Sequence, residues 1–192
     1  MLQEKFKNKK ILLGSQSPRR QELLKGLGLD FSIVRIDTDE TYPHDLVREE
    51  ITEFISTNKS EAYENLQPNE VLITADTLVW LDNLVLGKPA NEQEAFEMIE
   101  SMAGKIHEVF TSVTIKTVEK IITFSEKTEV HFDEFSPEEI HYYIQNFRPF
   151  DKAGAYGIQD WLGYAKISKI NGCYYNVMGL PLRKLYLELQ EF

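Results

Sequence analysis

Residues 109–132, "VFTSVTIKTVEKIITFSEKTEVHF", read as two long strands in succession, 109–118 and 121–132, joined at Glu119-Lys120. Elsewhere in the chain strands and helices alternate, a pattern that by itself builds an all-parallel sheet. Two consecutive strands with so short a link break that scheme. The expectation is a mixed α/β sheet with helices on both faces.

Upstream, the apolar triplet Ile11, Leu12 and Leu13 is a short strand candidate, followed by a helix over 18–27 with Ser17 as cap, Pro18 at its first position and Gly26 and Gly28 at its end. "FSIVRI" (31–36) alternates like a half-buried strand, and "DTDETYP" (37–43) is a polar loop. Over 45–66, Leu46, Ile51, Phe54, Ile55, Ala62 and Leu66 form a loose helical stripe. "VLITADTLVWL" (71–81) is rich in β-formers and runs into the hairpin "LDNLVL", whose Asp82-Asn83 pair suits a tight turn. Residues 91–102 put Ala95, Met98, Ile99 and Met102 on one helical face, with Gly104 beyond the end. Downstream come a helix over 137–146 capped by Ser136, a strand over 163–170 ("GYAKISKI") and a closing helix over 182–189.

The 192 residues, 42% of them hydrophobic, suffice for one well-buried core and are short for two ordinary domains, so residues 1–192 are expected to form a single domain, divided at most into lobes. A formal net charge of -10 opposes nonspecific attraction to nucleic acid or to an anionic membrane surface. A polyanion site must then be a local basic cluster. The lone Cys173 has no internal disulfide partner and fits a reducing, cytoplasmic compartment. The basic start "MLQEKFKNKKILLG" has too few apolar residues before its glycine for a signal-peptide core, and no run approaches membrane-span length.

"ILLGSQSPRRQELL" (11–24) places Arg19 and Arg20 in the first turn of a helix, where the peptide dipoles disfavour an exposed cation by about 0.3–1 kcal/mol. A strand, a small polar turn and a capped helix start present backbone N–H groups suited to phosphate. Both arginines make sense if they fork onto phosphate oxygens; the alternative is two solvated side chains compensated by Glu22. Neither familiar phosphate loop is present: Gly87-Lys88 is followed by proline, and "GLGLDF" lacks a third glycine.

In "ITADTLVWLDNLVLGKP" (73–89), Asp76 follows an apolar run, a position where a lone carboxylate is costly unless paired or metal-bound. Lys88, beyond the hairpin, is a candidate to return to the same edge. A carboxylate that positions metal or water and an ammonium that neutralises developing charge suit attack on a phosphoanhydride; a structural salt bridge is the alternative. Glu40, in "DTDET", is a candidate to join Asp76 around Mg2+ or Mn2+, and "STNKSEA" supplies Lys59. In "DKAGAYGIQD" (151–160), small residues allow close backbone approach and Gln159 offers a donor beside an acceptor. That pair matches the N3–H and O4 of uracil or thymine and, flipped, matches cytosine equally well. The histidines His44, His107, His131 and His141 show no metal-ligand spacing, and Cys173 reads as a small packing residue.

"SQSPRR", "DET", "NKSEA", "ADTLVWLDNLVLGKP", "MAGKIHEVFTSV", "DKAGAYGIQ" and "INGCYYNVMGLPL", in this order across nearly the whole chain, resemble the Maf family of nucleotide pyrophosphatases. The resemblance implies an elongated mixed α/β sheet with two lobes around a cleft, related to the inosine triphosphate pyrophosphatases. It implies hydrolysis of a nucleoside triphosphate to monophosphate and pyrophosphate with a divalent cation. Ser15, Arg19 and Arg20 would bind phosphate, Lys59 and Lys88 would be the cleft lysines, and Asp76 the catalytic carboxylate, while Thr77 and Gln159, with Arg20, would select the base. The form "DKAGAYGIQ" resembles the branch acting on dTTP and UTP and differs from the 7-methyl-GTP branch, which tips the ambiguous glutamine toward thymine and uracil, normal or modified. Two residues depart from the family pattern: Gln16 stands where a small residue is common, and Asp160, where a glycine usually follows the glutamine, brings negative charge toward the base site. A noncatalytic nucleotide-binding regulator of cell division and a phosphate-monoester hydrolase are the competing readings, and the likeness is compatible with a homodimer.

Overall fold

Ile11, Leu12 and Leu13 register against Val71, Leu72 and Ile73, and this parallel pairing of two apolar runs organises the first part of the sheet. The computed structural model describes residues 1–192. A single-turn helix α1 (Leu2–Lys5) precedes β1 (Lys10–Leu13), α2 (Pro18–Gly26), β2 (Phe31–Ile33), α3 (Glu49–Glu61) and β3 (Glu70–Leu81). The hairpin strand β4 (Leu84–Leu86) leads to α4 (Glu92–Met102), β5 (Ile106–Lys116), β6 (Ile121–Phe132) and α5 (Pro137–Phe147). A 3-10 turn (Ala153–Ala155), α6 (Trp161–Lys166), β7 (Ile167–Asn171), α7 (Tyr174–Val177) and α8 (Leu182–Glu191) complete the chain. No helix is long and apolar enough to cross a membrane.

The strand order is β2-β1-β3-β5-β6-β7, with β4 on β3. β1 is parallel to both β2 and β3, whereas β4 is antiparallel to β3 and β7 to β6, so the sheet is mixed as expected. At the hairpin, Asp82 and Asn83 both adopt positive φ, 49° and 67°, the combination that a two-residue turn matching strand twist requires. The helix over 137–147 carries a full capping box, Ser136 with Glu139.

Three expectations are corrected. The strand anticipated over 31–36 ends at Ile33, where Ser32 and Ile33 are exposed, so its alternation had no second face to bury. The strand anticipated over 163–170 begins only at Ile167, because residues up to Lys166 belong to α6. The helix anticipated over 45–66 is α3 alone, and its buried positions are Ile51, Thr52, Ile55, Ser56 and Ser60, so much of the inward face is hydroxyl-bearing.

The chain divides into two compact units: Met1–Asp76 with Thr111–Glu126 and Gly179–Phe192, and Thr77–Phe110 with Lys127–Met178. The division falls within β3, between Asp76 and Thr77. In the second unit, Val79, Ile99, Met102, Val130, Tyr143 and Leu162 form the centre of one apolar core.

In the first unit, α3 is fastened by hydroxyl groups. Thr52 Oγ1 meets Ser112 Oγ at 2.6 Å, and Ser112 meets Ser125 at 2.8 Å. One turn along, Thr114 Oγ1 donates to Ser56 Oγ (3.1 Å) and lies 2.9 Å from Thr123 Oγ1, which in turn meets Thr57 at 3.1 Å. Thr74 Oγ1 donates to the Ser56 carbonyl (2.7 Å), and Lys116 Nζ donates to the Ser60 carbonyl (2.9 Å). Such bonds are directional where apolar packing is not, and a buried hydroxyl left unmatched is expensive, so the ladder fixes both the rotation and the height of α3. Thr114→Val, which keeps the shape but deletes the central hydroxyl, is expected to lower stability by about 1–2 kcal/mol in urea unfolding; an unchanged midpoint would show that the ladder carries no energy.

Candidate functional site

β1 is the point at which the strand order reverses: the chain leaves it through α2 to β2 on one side and returns through α3 to β3 on the other. Ligands of open α/β sheets bind outside the carboxyl ends of strands at such a point. There, Gly14 N–H still bonds the Ile73 carbonyl (2.8 Å) before the chain turns into α2. Glycine lets the turn pack tightly here: a Cβ at position 14 would stand 2.6 Å from Ile36 Cδ1 and 2.8 Å from Thr74 Cγ2, and those side chains would have to shift. Ser15 Oγ accepts from the Ser17 backbone N–H (3.3 Å), and Ser17 Oγ caps α2 by accepting from the Arg20 N–H (3.5 Å).

Arg20 is anchored rather than splayed into water. Its Nε donates to the Gly179 carbonyl (2.8 Å), and its Nη1 donates to the Ala75 carbonyl (3.0 Å) and reaches Ser15 Oγ at 3.5 Å. The residue after Ala75 is Asp76, whose Oδ1 accepts from Lys59 Nζ at 2.9 Å; the same ammonium is 2.7 Å from Glu40 Oε1. Lys59 and Asp76 side chains are each 13% exposed and Glu40 is 48% exposed. The structure thus brings together Ser15, Arg20, Glu40, Lys59 and Asp76, with Arg19 beside Arg20 in the first turn of α2.

The electrostatics follow from that crowding. Burial raises the Asp76 carboxyl above its ordinary value; Lys59 and Arg20 pull it down, and Glu40 adds to the rise. Burial lowers the Arg20 guanidinium from its usual value, Asp76 and Glu40 oppose that shift, and Arg19 reinforces it. The unfavourable placement of a cation at a helix N-terminus is therefore offset by two nearby carboxylates. Arg20 and Lys59 thus stand among Arg19, Glu40 and Asp76, and guanidinium and ammonium groups of this kind suit phosphate oxygens.

Glu40 and Asp76 are the only carboxylates converging on this ammonium, and no group of three or more His, Cys, Asp and Glu side chains gathers anywhere in the chain. A pair of carboxylate oxygens suits Mg2+ or Mn2+, which use one or two carboxylates and take remaining ligands from phosphate and water. It does not suit a cation that needs an all-protein cage.

Thr77, Lys88 and Gln159 belong to the second unit. Asp76 takes its ammonium from Lys59. Gln159 Oε1 is buried without a hydrogen-bond partner, an unusual state for an acceptor and one that a ligand N–H would relieve. Its loop is held by Tyr156, whose hydroxyl lies 2.7 Å from His107 Nε2. Burial, with His131 adding to it, lowers His107 to about 3, so this imidazole stays neutral. Sequence reasoning missed the carbonyls of Ala75 and Gly179 that orient Arg20 and the hydroxyl face that orients Lys59. The spacing of Thr52, Ser56 and Ser60 was the available signal for the latter.

Residues 10–192 match the family described as Maf-like protein. The chain belongs to that family. Among similar proteins, one from Bacteroides thetaiotaomicron named dTTP/UTP pyrophosphatase is 51% identical over 94% of this chain and 95% of its own. Relatives of the same name from Flavobacterium johnsoniae (50% identical, 97% and 96% covered) and Parabacteroides distasonis (48%, 98% and 99%) agree. Among solved structures, a HAM1 protein from Coxiella burnetii superposes with a TM-score of 0.53 at 15% identity, covering 96% of this chain and 100% of that one, a likeness of fold alone.

Because burial holds the Asp76 pKa above its unfolded value, the carboxyl favours folding below about pH 4, and that contribution is lost as pH rises through the folded-state value. Asp76→Asn, in chelator and without nucleotide, is therefore expected to raise Tm at neutral pH, with the gain shrinking as the buffer is acidified. Calorimetry across pH checks this; a variant melting below the wild type at neutral pH would mean that Lys59 and Arg20 outweigh burial.

Proposed function

We propose that this Maf-like protein hydrolyses dTTP and UTP to the monophosphate and pyrophosphate. The observation that carries the reading is the nearly buried Asp76 carboxylate, held by Lys59 within the field of Arg20 and adjoining a capped helix start at the strand-order reversal. Relatives covering nearly the same length bear the name dTTP/UTP pyrophosphatase, which supports the choice of substrate.

The backbone N–H groups opening α2, the Ser15 hydroxyl and the guanidiniums of Arg19 and Arg20 receive the phosphates. Arg20 is locked by two carbonyls, so little side-chain freedom is lost when phosphate arrives. Asp76 orients or deprotonates a water aimed at the α-phosphorus: the new P–O bond forms as the bond to the bridging oxygen breaks, and pyrophosphate leaves with that electron pair. Its raised pKa makes it a better proton acceptor than an ordinary aspartate. Lys59, with Lys88, offsets charge developing on the phosphates. Glu40 and Asp76 would hold Mg2+ or Mn2+, which when bound would neutralise and polarise phosphate oxygens. Thr77 and Gln159, with Arg20, select the base, the unpartnered Gln159 Oε1 accepting the N3–H of thymine or uracil. The lone Cys173, a free thiol, suits a reducing, cytoplasmic setting.

The test is product analysis after incubation with dTTP or UTP and Mg2+ or Mn2+. Pyrophosphate and monophosphate are expected, and Asp76→Asn should lose on the order of 10²–10⁴-fold in turnover while still binding nucleotide. Orthophosphate as product, nucleotide recovered intact, or full turnover by the variant would each overturn the reading.

A further inference from the structure

Asp160 directly follows Gln159, the glutamine proposed above to select the base, and its side chain has a specific place. Its backbone has the extended conformation of an N-cap to α6 (φ -94°, ψ 178°), yet the carboxylate makes no capping bond. Instead Oδ2 accepts from the Tyr143 hydroxyl at 2.9 Å, with Lys152 Nζ 3.8 Å away. The Tyr143 oxygen in turn accepts the Gly157 backbone N–H at 3.0 Å. Gly157 and Asp160 are also closed into a turn by the Asp160 N–H donating to the Gly157 carbonyl (3.1 Å).

Gly157 leaves room for the side chains at this turn. A Cβ there would stand 2.5 Å from Asp160 Oδ2 and 3.0 Å from Gln159 Nε2, so carboxylate and amide both fold over the space a side chain would fill. Tyr143 is fully buried on α5, its ring stacked on Phe147 at 5.2 Å, which makes its hydroxyl a fixed post. Burial, and secondarily Asp160, raise the phenol well above its ordinary value, so it remains a donor at every working pH. Gln159 lies inside the clamped turn, with Oε1 buried and unmatched by the protein.

We propose that Asp160 is a positioning residue for base selection: through the Tyr143 hydroxyl it fixes the turn of residues 157–160, so that the Gln159 amide keeps its oxygen available to the ring N–H of a pyrimidine. This rests on the reading of Gln159 as the base-selecting residue. Oδ2 is engaged by the Tyr143 hydroxyl, while Lys152, 3.8 Å away, pairs more closely with Asp151 (2.9 Å), so in this proposal Asp160 acts on the base through the shape of the turn.

Binding of α,β-methylene UTP and CTP, which resist cleavage between the α- and β-phosphates, measures the discrimination without requiring turnover; hydrolysis of UTP and CTP is measured in parallel. Tyr143→Phe and Asp160→Ala are expected to reduce the UTP-over-CTP preference by about tenfold or more, the order set by one misplaced hydrogen bond, with the loss in Kd and KM rather than kcat. Asp160→Asn, which retains an acceptor for the tyrosine, should keep most of the preference. A preference unchanged in folded Tyr143→Phe and Asp160→Ala, or kcat lowered equally for both nucleotides with their ratio intact, would overturn the proposal. A wild type that prefers the UTP analogue but releases no pyrophosphate would overturn the proposed function and leave the positioning role standing; a wild type that binds neither analogue would overturn both.

Discussion

One ammonium between two carboxylates organises the first unit. Lys59 Nζ lies 2.9 Å from Asp76 and 2.7 Å from Glu40, and without it the nearly buried Asp76 would face the half-exposed Glu40 with no ammonium between them. The lysine can serve only if α3 is held at one rotation, since a single residue of slip turns a helix by about 100° and would carry Lys59 off the site. An apolar interface tolerates small slides; hydroxyls matched one to one do not. The ladder of Thr52, Ser56, Ser112, Thr114 and Thr123 is thus linked to the chemistry of Asp76 even though none of these residues touches it.

Much of this was legible in the sequence because the signals were local. The apolar triplet before Gly14, the Ser17-Pro18 cap and the Asp82-Asn83 turn each state their conformation within a few residues, and the structure reproduces them. The acid and the cations of the site were also legible, as residues whose burial or position needed a partner. Which partner each would find was not. Asp76 pairs with Lys59 of α3, a choice made by topology, and Arg20 is oriented by backbone carbonyls, which carry no residue identity. The buried face of α3 escaped an apolar scan because polar groups satisfied by one another are as buried as leucine. Residues 163–166 misled for the opposite reason: a short run has too few positions to separate the two periodicities.

Position 160 shows how a departure from a family pattern changes meaning once its neighbours are known. Sequence alone sets a carboxylate beside a base-reading glutamine and suggests repulsion or altered preference. In the fold the carboxylate is engaged by a tyrosine hydroxyl and lies within 3.8 Å of a lysine ammonium, and the glycine three residues earlier leaves room for it. Aspartate at 160 and glycine at 157 form one device, and neither can be judged singly.

The arginines that begin α2 fit the same logic of shared constraint. A protein with net charge of -10 attracts no polyanion from a distance, so recognition must come from charge concentrated at short range. Placing Arg19 and Arg20 against the positive end of a helix is unfavourable by itself, by about 0.3–1 kcal/mol each when exposed. The buried Asp76 and the nearby Glu40 offset that penalty for Arg20, and Lys59 limits how far the two acids repel one another. The cations and carboxylates here bear on one another, so the placement of each is part of the constraint on the rest.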